Sequence, residues 1–106
     1  MVEEAVTWFL QCTERYMQTG QPLGFRLGER MIGFLPRNNS RELIIYVLVV
    51  EPDLRQQGVC RKFLEACQDN PRIHKLVVCG VSNPYLDKLL QKLGFICHGG
   101  DFIWNN

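Results

Sequence analysis

The sequence predicts an α/β domain, because segments with strand patterns alternate with segments with helix patterns. Residues 44–50 form an unbroken apolar run rich in β-branched side chains, which is typical of a strand covered on both faces. Residues 59–69 place their apolar side chains on one side of a helix and most of their charged side chains on the other. Residues 74–81 form a second buried-strand pattern. A strand, helix and strand of these lengths predict a right-handed crossover between parallel strands.

The rest of the chain is predicted to add a first helix, two hairpins and a third helix. Gly20 ends the first helix, whereas Asn83 as N-cap and Pro84 as first residue begin the third. Gly94 suits the end of that third helix, since a left-handed residue commonly follows a helix. The predicted order is helix 2–18, strands 23–27, 31–35 and 44–50, helix 59–69, strand 74–81, helix 84–93, and strands 95–98 and 102–104.

Length and composition predict a single domain spanning residues 1–106. The net charge is +1 and the charges are scattered, so they indicate neither a nucleic-acid nor a membrane partner. The longest apolar run has seven residues, far fewer than the roughly 20 of a membrane span. Glu3 and Glu4 stand where a signal peptide would be basic. A cytoplasmic location is therefore expected.

The cysteines are expected to serve as small buried hydrophobic residues in a reducing compartment. Their number is odd, no CxxC occurs and each lies in an apolar stretch. Only two histidines accompany them, so neither a catalytic thiol nor a metal site is predicted. The five cysteines are Cys12, Cys60, Cys67, Cys79 and Cys97.

The junction between the long strand and the second helix is predicted to bind an anion. Pro52 ends the strand because it has no N–H to donate. The helix that begins after Gly58 offers unpaired backbone N–H groups and the positive end of its dipole. Gly58 allows close approach of a ligand, and Arg55 adds a positive charge. Neither a P-loop nor a GxGxxG motif is present, so the phosphate-containing ligand stays open at this point.

The same junction resembles the signature of the GNAT superfamily of N-acyltransferases, which reads Arg/Gln-x-x-Gly-x-Gly/Ala. The matching residues are Arg55-Gln56-Gln57-Gly58-Val59-Cys60, preceded by the strand ending Val49-Val50-Glu51-Pro52. Cys60 departs from the small Gly or Ala of that family. A second motif of the family, an asparagine that opens the last helix and a Gly-Phe pair that closes it, is matched by Asn83, Gly94 and Phe95.

The resemblance covers about residues 31–95 and implies a GNAT-like mixed sheet with a strand–pyrophosphate loop–helix core and a C-terminal hairpin. It also implies an N-acetyltransferase that moves an acetyl group from acetyl-CoA to an amine of a small molecule, peptide or protein. In such a fold the long strand diverges from its neighbour near its C-terminal end and pairs with the pantetheine. The implied cofactor-binding residues are Leu48, Val49, Val50, Arg55, Gln56, Gln57, Gly58, Val59, Cys60 and Asn83.

The catalytic positions depart from the family pattern. Leu90 stands where many members carry a tyrosine acid, and two common glutamate positions are also apolar, at Ile44 and Val78. Glu42 and Tyr46 share a strand face with Ile44 by alternation, so they are the candidates for proton removal. Further titratable candidates around the site are Tyr85, His98 and Asp101.

Two alternatives to an acetyltransferase remain open on the sequence. One is a non-catalytic CoA-binding or protein-interaction module that keeps the fold, since the acid and base positions are apolar. The other is an α/β domain whose loop binds a different phosphate. A homodimer is also plausible on the sequence, because the apolar closing strand near Trp104 offers an edge that a second copy could pair with.

Overall fold

The computed structural model describes all 106 residues and has the predicted α/β architecture, with three helices and a six-stranded mixed sheet. A single 3-10 turn, Pro52–Leu54, follows the long strand. The helices and strands, in chain order, are α1 (Val2–Thr19), β1 (Leu23–Leu27), β2 (Arg30–Phe34), β3 (Glu42–Val49), α2 (Val59–Asp69), β4 (Lys75–Val78), α3 (Pro84–Lys92), β5 (Ile96–His98) and β6 (Asp101–Asn105).

The sheet confirms the predicted parallel pairing of the strands before and after the second helix. Its strand order is β1-β2-β3-β4-β6-β5, and β3 pairs with β4 in parallel while all other neighbours are antiparallel. β4 is shorter than the predicted strand over residues 74–81, because Gly80 has a φ of +59° and therefore leaves the extended conformation. The Gly80 N–H donates to the carboxylate of Asp101 at 2.9 Å instead of to a neighbouring strand. The strand thus ends at the tip of the closing hairpin.

The hydrophobic core lies between the helices and one face of the sheet. Tyr16 of α1 stacks on Phe34 of β2 with ring centroids 4.5 Å apart, and Phe9 contacts Phe63 of α2 at 5.4 Å. Leu90 of α3 is fully buried in the same cluster. All three helices therefore pack on one side of the sheet, as in a two-layer domain.

The other face of the sheet stays outside this core cluster. Ile44, Val77, Ile103 and Ile96 lie side by side on it in four neighbouring strands. Ile96 is 64% exposed and Tyr46 is 48% exposed. The expectation that the long strand is covered on both faces is therefore wrong, since an apolar run does not reveal whether a second helix layer exists to cover it.

A β-bulge interrupts the pairing of β2 with β3. Phe34 pairs with Ile45 and Gly33 with Val47, so Tyr46 is an extra residue on β3. The Tyr46 ring packs against Gly33, where a Cβ atom would come within 2.7 Å of the ring. Glycine at position 33 therefore lets the bulged tyrosine lie flat on the sheet.

None of the three helices combines the length and the apolar character needed to cross a membrane.

Candidate active site

β3 is paired on both sides only in its first half. Its pairing with β4 ends at Ile45 and Val78, and the last hydrogen bond runs from the Cys79 N–H to the Ile45 carbonyl at 2.8 Å. Pairing with β2 continues to Val49. The later backbone groups of β3 therefore have no strand partner on the β4 side, and the expected divergence of the two strands is confirmed.

This divergence opens a cleft of about 540 Å³, here called the β3 cleft. Its volume lies in the range of small-molecule and cofactor sites. The end of β3, the following loop, the start of α2 and the first turns of α3 form its walls. The lining residues are Leu48, Val49, Val50, Leu54, Arg55, Gln56, Gly58, Val59, Cys60, Arg61, Asn83, Tyr85, Leu86 and Leu89.

The loop between β3 and α2 has an unusual backbone. Gln56 adopts a φ of +62° and Gly58 a φ of +86°, a region that is unfavourable for most residues with a Cβ and that often marks binding loops. The Gln57 side chain donates to the Asp53 carbonyl at 2.7 Å, which fixes the turn from within. Gln56 is thus held in a conformation that it does not prefer locally, whereas Gly58 adopts its positive φ without strain.

The N-terminus of α2 is open toward the cleft. Gly58 is its N-cap and offers no side-chain acceptor. The N–H groups of Val59, Cys60 and Arg61 find no acceptor within the chain. A Cβ placed on Gly58 would meet no atom within 4 Å. These donors and the positive helix end therefore face free space, as an anion-binding site requires.

Arg55 connects the strand to this site. Its Nε donates to the Val50 carbonyl at 2.9 Å, which holds the end of β3. The same side chain lines the cleft, and its Nη nitrogens have no acceptor within the protein. Arg55 therefore adds a positive charge beside the α2 N-terminus, as the sequence predicts.

The structure brings nine of the ten expected cofactor-binding residues together around the cleft. The exception is Gln57, whose side chain is used within the loop. Asn83 lines the cleft and also caps α3, since its side-chain oxygen accepts from the Tyr85 N–H at 2.8 Å and the Leu86 N–H at 3.4 Å. Its predicted capping role is confirmed.

The two candidate bases do not line the cleft. Glu42 lies at the opposite end of β3, buried, where it accepts from the Asn39 N–H at 3.1 Å and lies 3.7 Å from the Lys75 ammonium. At about 3.3 Å per strand residue, it is roughly 20 Å from Leu48. Tyr46 is nearer, but it lies on the bare sheet face against Gly33. Strand alternation predicts that Glu42 and Tyr46 share a face of the sheet, but it does not predict how far each lies from the cleft.

Tyr85 lines the cleft and is 67% exposed. Its position two residues after the N-cap Asn83 lets the ring leave the core. Leu90, at the family's tyrosine position, is fully buried instead. The lining residues absent from the predicted cofactor-binding set are Leu54, Arg61, Tyr85, Leu86 and Leu89. Tyr85 is predicted only as a titratable candidate, and for Leu86 and Leu89 the helical periodicity of α3 is the available signal.

Burial raises the thiol pKa of the cysteines that lie in or near the core. Burial raises the pKa of Cys60 to about 11 and that of Cys67 to about 12, although the start of a helix ordinarily lowers a thiol pKa. Cys60 is therefore a thiol and not a nucleophile at neutral pH. Cys97 is exposed, so the expectation of burial is wrong there because the edge strand β5 has no cover.

A family model of the acetyltransferase (GNAT) domain matches residues 2–106. The chain belongs to the GNAT acetyltransferase family. A crystal structure assigned as an acetyltransferase from Agrobacterium tumefaciens is similar in fold, with a TM-score of 0.51 and 15% identity, covering 95% of this chain and 87% of that one. No curated protein matches this chain significantly. The β3 cleft of this GNAT domain is lined by Arg55, Gly58 and Cys60 of the first motif and by Asn83 of the second.

Proposed function

We propose that this GNAT protein is an N-acetyltransferase that takes the acetyl group of acetyl-CoA and transfers it to an amine. The observation that carries the proposal is the uncapped N-terminus of α2, which faces the end of an apolar cleft beside a half-paired strand. Few ligands combine a pyrophosphate with a long amide-containing arm. Coenzyme A is one whose two parts suit these two features.

The residues present fit such a donor in two respects. The N–H groups at the start of α2 and the Arg55 guanidinium supply hydrogen-bond donors and positive charge for a pyrophosphate. The unpaired side of β3 after Ile45 offers backbone groups to the pantetheine amides, in the manner of an added strand. Leu48 and Leu89 supply apolar contacts between them.

Bound acetyl-CoA supplies the activated acyl group, and the chain has to orient it and manage protons. A backbone N–H near Leu48 or Val49 is the proposed hydrogen-bond donor to the thioester oxygen. The amine must lose a proton, and the phenols nearest this region are Tyr46 and Tyr85. Glu42 would need a water chain of roughly 20 Å along β3, so the proposal gives proton removal to Tyr46, to Tyr85 or to bulk water.

A second candidate function is a non-catalytic CoA-binding module. It is favoured by the cleft lining, which includes no aspartate, glutamate or histidine. The two candidates share the donor site and differ in turnover alone. The acceptor amine and a cytoplasmic location remain part of the proposal, the latter because five free thiols suit a reducing compartment.

Release of free thiol from acetyl-CoA in the presence of a panel of small amines, peptides and protein amines tests the two candidates. Turnover that depends on an added amine supports the acetyltransferase, and Tyr46→Phe should then lower kcat and alter the pH–rate profile. Binding of acetyl-CoA without turnover on any amine would favour the module. A Tyr46→Phe variant with an unchanged pH–rate profile would remove Tyr46 as the base.

A further inference from the structure

A buried arginine connects α1, β2 and the end of β3. Arg30 is the first residue of β2, and only 3% of it is exposed. Its Nε donates to the Glu51 carboxylate at 2.9 and 3.2 Å, and Nη2 donates to it at 2.7 Å. The two Nη nitrogens donate to Glu4 at 2.9 and 3.0 Å. The guanidinium also lies 5.4 Å from the centre of the Trp8 ring.

The two carboxylates are bound alike but differ in location. Glu4 is in the first turn of α1, and its side chain is 57% exposed. Glu51 directly follows Val50, a residue of the β3 cleft, and its side chain is 23% exposed. The ion pair of Arg30 with Glu4, here called the Glu4 arm, therefore holds α1. The ion pair of Arg30 with Glu51, here called the Glu51 arm, holds the segment that connects β3 to the loop before α2.

The end of β3 is held from two directions by this arrangement. Arg30 binds the Glu51 carboxylate, while Arg55 donates to the carbonyl of Val50 at 2.9 Å. The neighbouring residues of β3 lack strand pairing on the β4 side. A strand with one free edge ordinarily has more conformational freedom than one paired on both sides. The two arginines supply part of the restraint that the missing strand would give.

Electrostatics support a cluster that is charged throughout the physiological pH range. Hydrogen bonds from Arg30 lower the pKa of both Glu4 and Glu51 and raise the pKa of the arginine itself. A buried guanidinium without partners would be costly, so both carboxylates have a structural reason to be present. The need to pair the buried guanidinium applies equally to Glu4 and Glu51, so it does not assign the two carboxylates different roles.

We propose that Arg30, acting through Glu51, is a positioning residue that fixes the half-paired end of β3 in the conformation that receives the acyl donor. This inference rests on the proposed function. Residues 48–50 carry the backbone groups that would pair with the pantetheine, and Glu51 anchors the end of that segment. The Glu4 arm stabilises α1 and leaves the donor site unchanged.

The matched variants Glu51→Gln and Glu4→Gln test this difference. Each replaces one of two equivalent partners of the same arginine with a side chain of the same size. Calorimetric titration with acetyl-CoA should show about tenfold weaker binding for Glu51→Gln, which corresponds to roughly 1.4 kcal/mol. Glu4→Gln should bind within about twofold of the wild type, and both variants should lower the melting temperature.

Hydrogen exchange of the unliganded variants gives a readout that global stability does not determine. Of the amides of Leu48 and Val49, the one that donates to β2 should exchange faster in Glu51→Gln, whereas Glu4→Gln should speed exchange in the first turns of α1. Arg30→Lys keeps the charge but loses the two-sided fork, so it should show an intermediate loss of affinity. This variant also covers the case in which Glu51→Gln fails to fold.

The outcomes separate this inference from the proposed function. Wild-type protein that binds no acetyl-CoA would overturn the proposed function and this inference with it. Wild-type binding combined with equal affinities of the two glutamine variants would overturn the positioning role alone. Tenfold weaker binding confined to Glu51→Gln, with faster exchange of whichever of the Leu48 and Val49 amides donates to β2, would support it.

Discussion

Two helix N-termini border the β3 cleft, and they are capped differently. α3 begins at Asn83, whose side chain accepts from the N–H groups of Tyr85 and Leu86. α2 begins at Gly58, which has no side chain to cap it, and its first N–H groups have no acceptor in the chain. A glycine N-cap costs a helix only a few tenths of a kcal/mol relative to an asparagine cap, so α2 leaves its first N–H groups unbonded at little loss of stability. The difference is what the proposed function requires, because it leaves the donors of α2 free for the pyrophosphate.

The largest expected effect comes from placing a negative charge at the uncapped end. Gly58→Asp adds a carboxylate where the pyrophosphate is proposed to bind, and a like charge at about 4 Å costs up to several kcal/mol near a protein surface. Acetyl-CoA affinity should fall at least about 100-fold in a calorimetric titration. Both Asp and Asn tolerate the left-handed conformation of position 58.

Gly58→Asn is therefore the matched control, with the same shape and no charge. It should retain affinity within about tenfold of the wild type. Equal losses in the two variants would assign the effect to shape and would weaken the contrast between the two helix ends.

A smaller effect is expected at the capped end. Asn83→Ala removes the cap and should lower the free energy of unfolding by about 1 kcal/mol, measured by urea denaturation. Asn83→Asp keeps an acceptor for the same two N–H groups and should leave stability within about 0.5 kcal/mol. If Asn83 also contacts the donor, as the family resemblance implies, Asn83→Asp will weaken acetyl-CoA binding despite the intact cap.

Acid should weaken the ion pair between Arg30 and Glu51 at the end of β3. The pKa of Glu51 is lowered in the folded protein by the hydrogen bonds from Arg30, from an ordinary value of 4.5. The stabilisation is therefore fully present above about pH 4.5 and is lost as the pH falls below that value. The free energy of unfolding should decline below pH 4.5 less steeply in Glu51→Gln than in the wild type. Identical pH dependence in the two proteins would show that the ion pair contributes nothing to stability.

The sequence predicts the fold and most of the cleft because both follow from local patterns. The apolar run, the Pro52 stop and Gly58 define strand, turn and helix start, and the structure has each at the expected place. The cap at Asn83 is equally local. The family resemblance predicts nine of the lining residues: eight lie on one strand end, the loop that leads into α2 and the start of α2, and the ninth, Asn83, opens α3.

What the sequence does not predict depends on contacts between distant segments. Alternation puts Glu42 on the face of Tyr46 but gives no information about which end of β3 opens. The Arg30 cluster joins residues 21 and 26 positions apart, and no local pattern indicates such a pairing. The sheet face that no helix covers is another case, because the apolar character of Ile44 and Ile96 is the same with or without a covering helix.

The measurement that tests the central claim most directly is the thermal stability of the wild-type protein with excess acetyl-CoA, with adenosine diphosphate as the control. At about 100 times the dissociation constant, a ligand of the folded state adds roughly 2.7 kcal/mol, or several degrees for a domain of this size. A rise of that size with acetyl-CoA and little change with the diphosphate is the predicted result. An unchanged melting temperature with both ligands would contradict the assignment of the β3 cleft to coenzyme A.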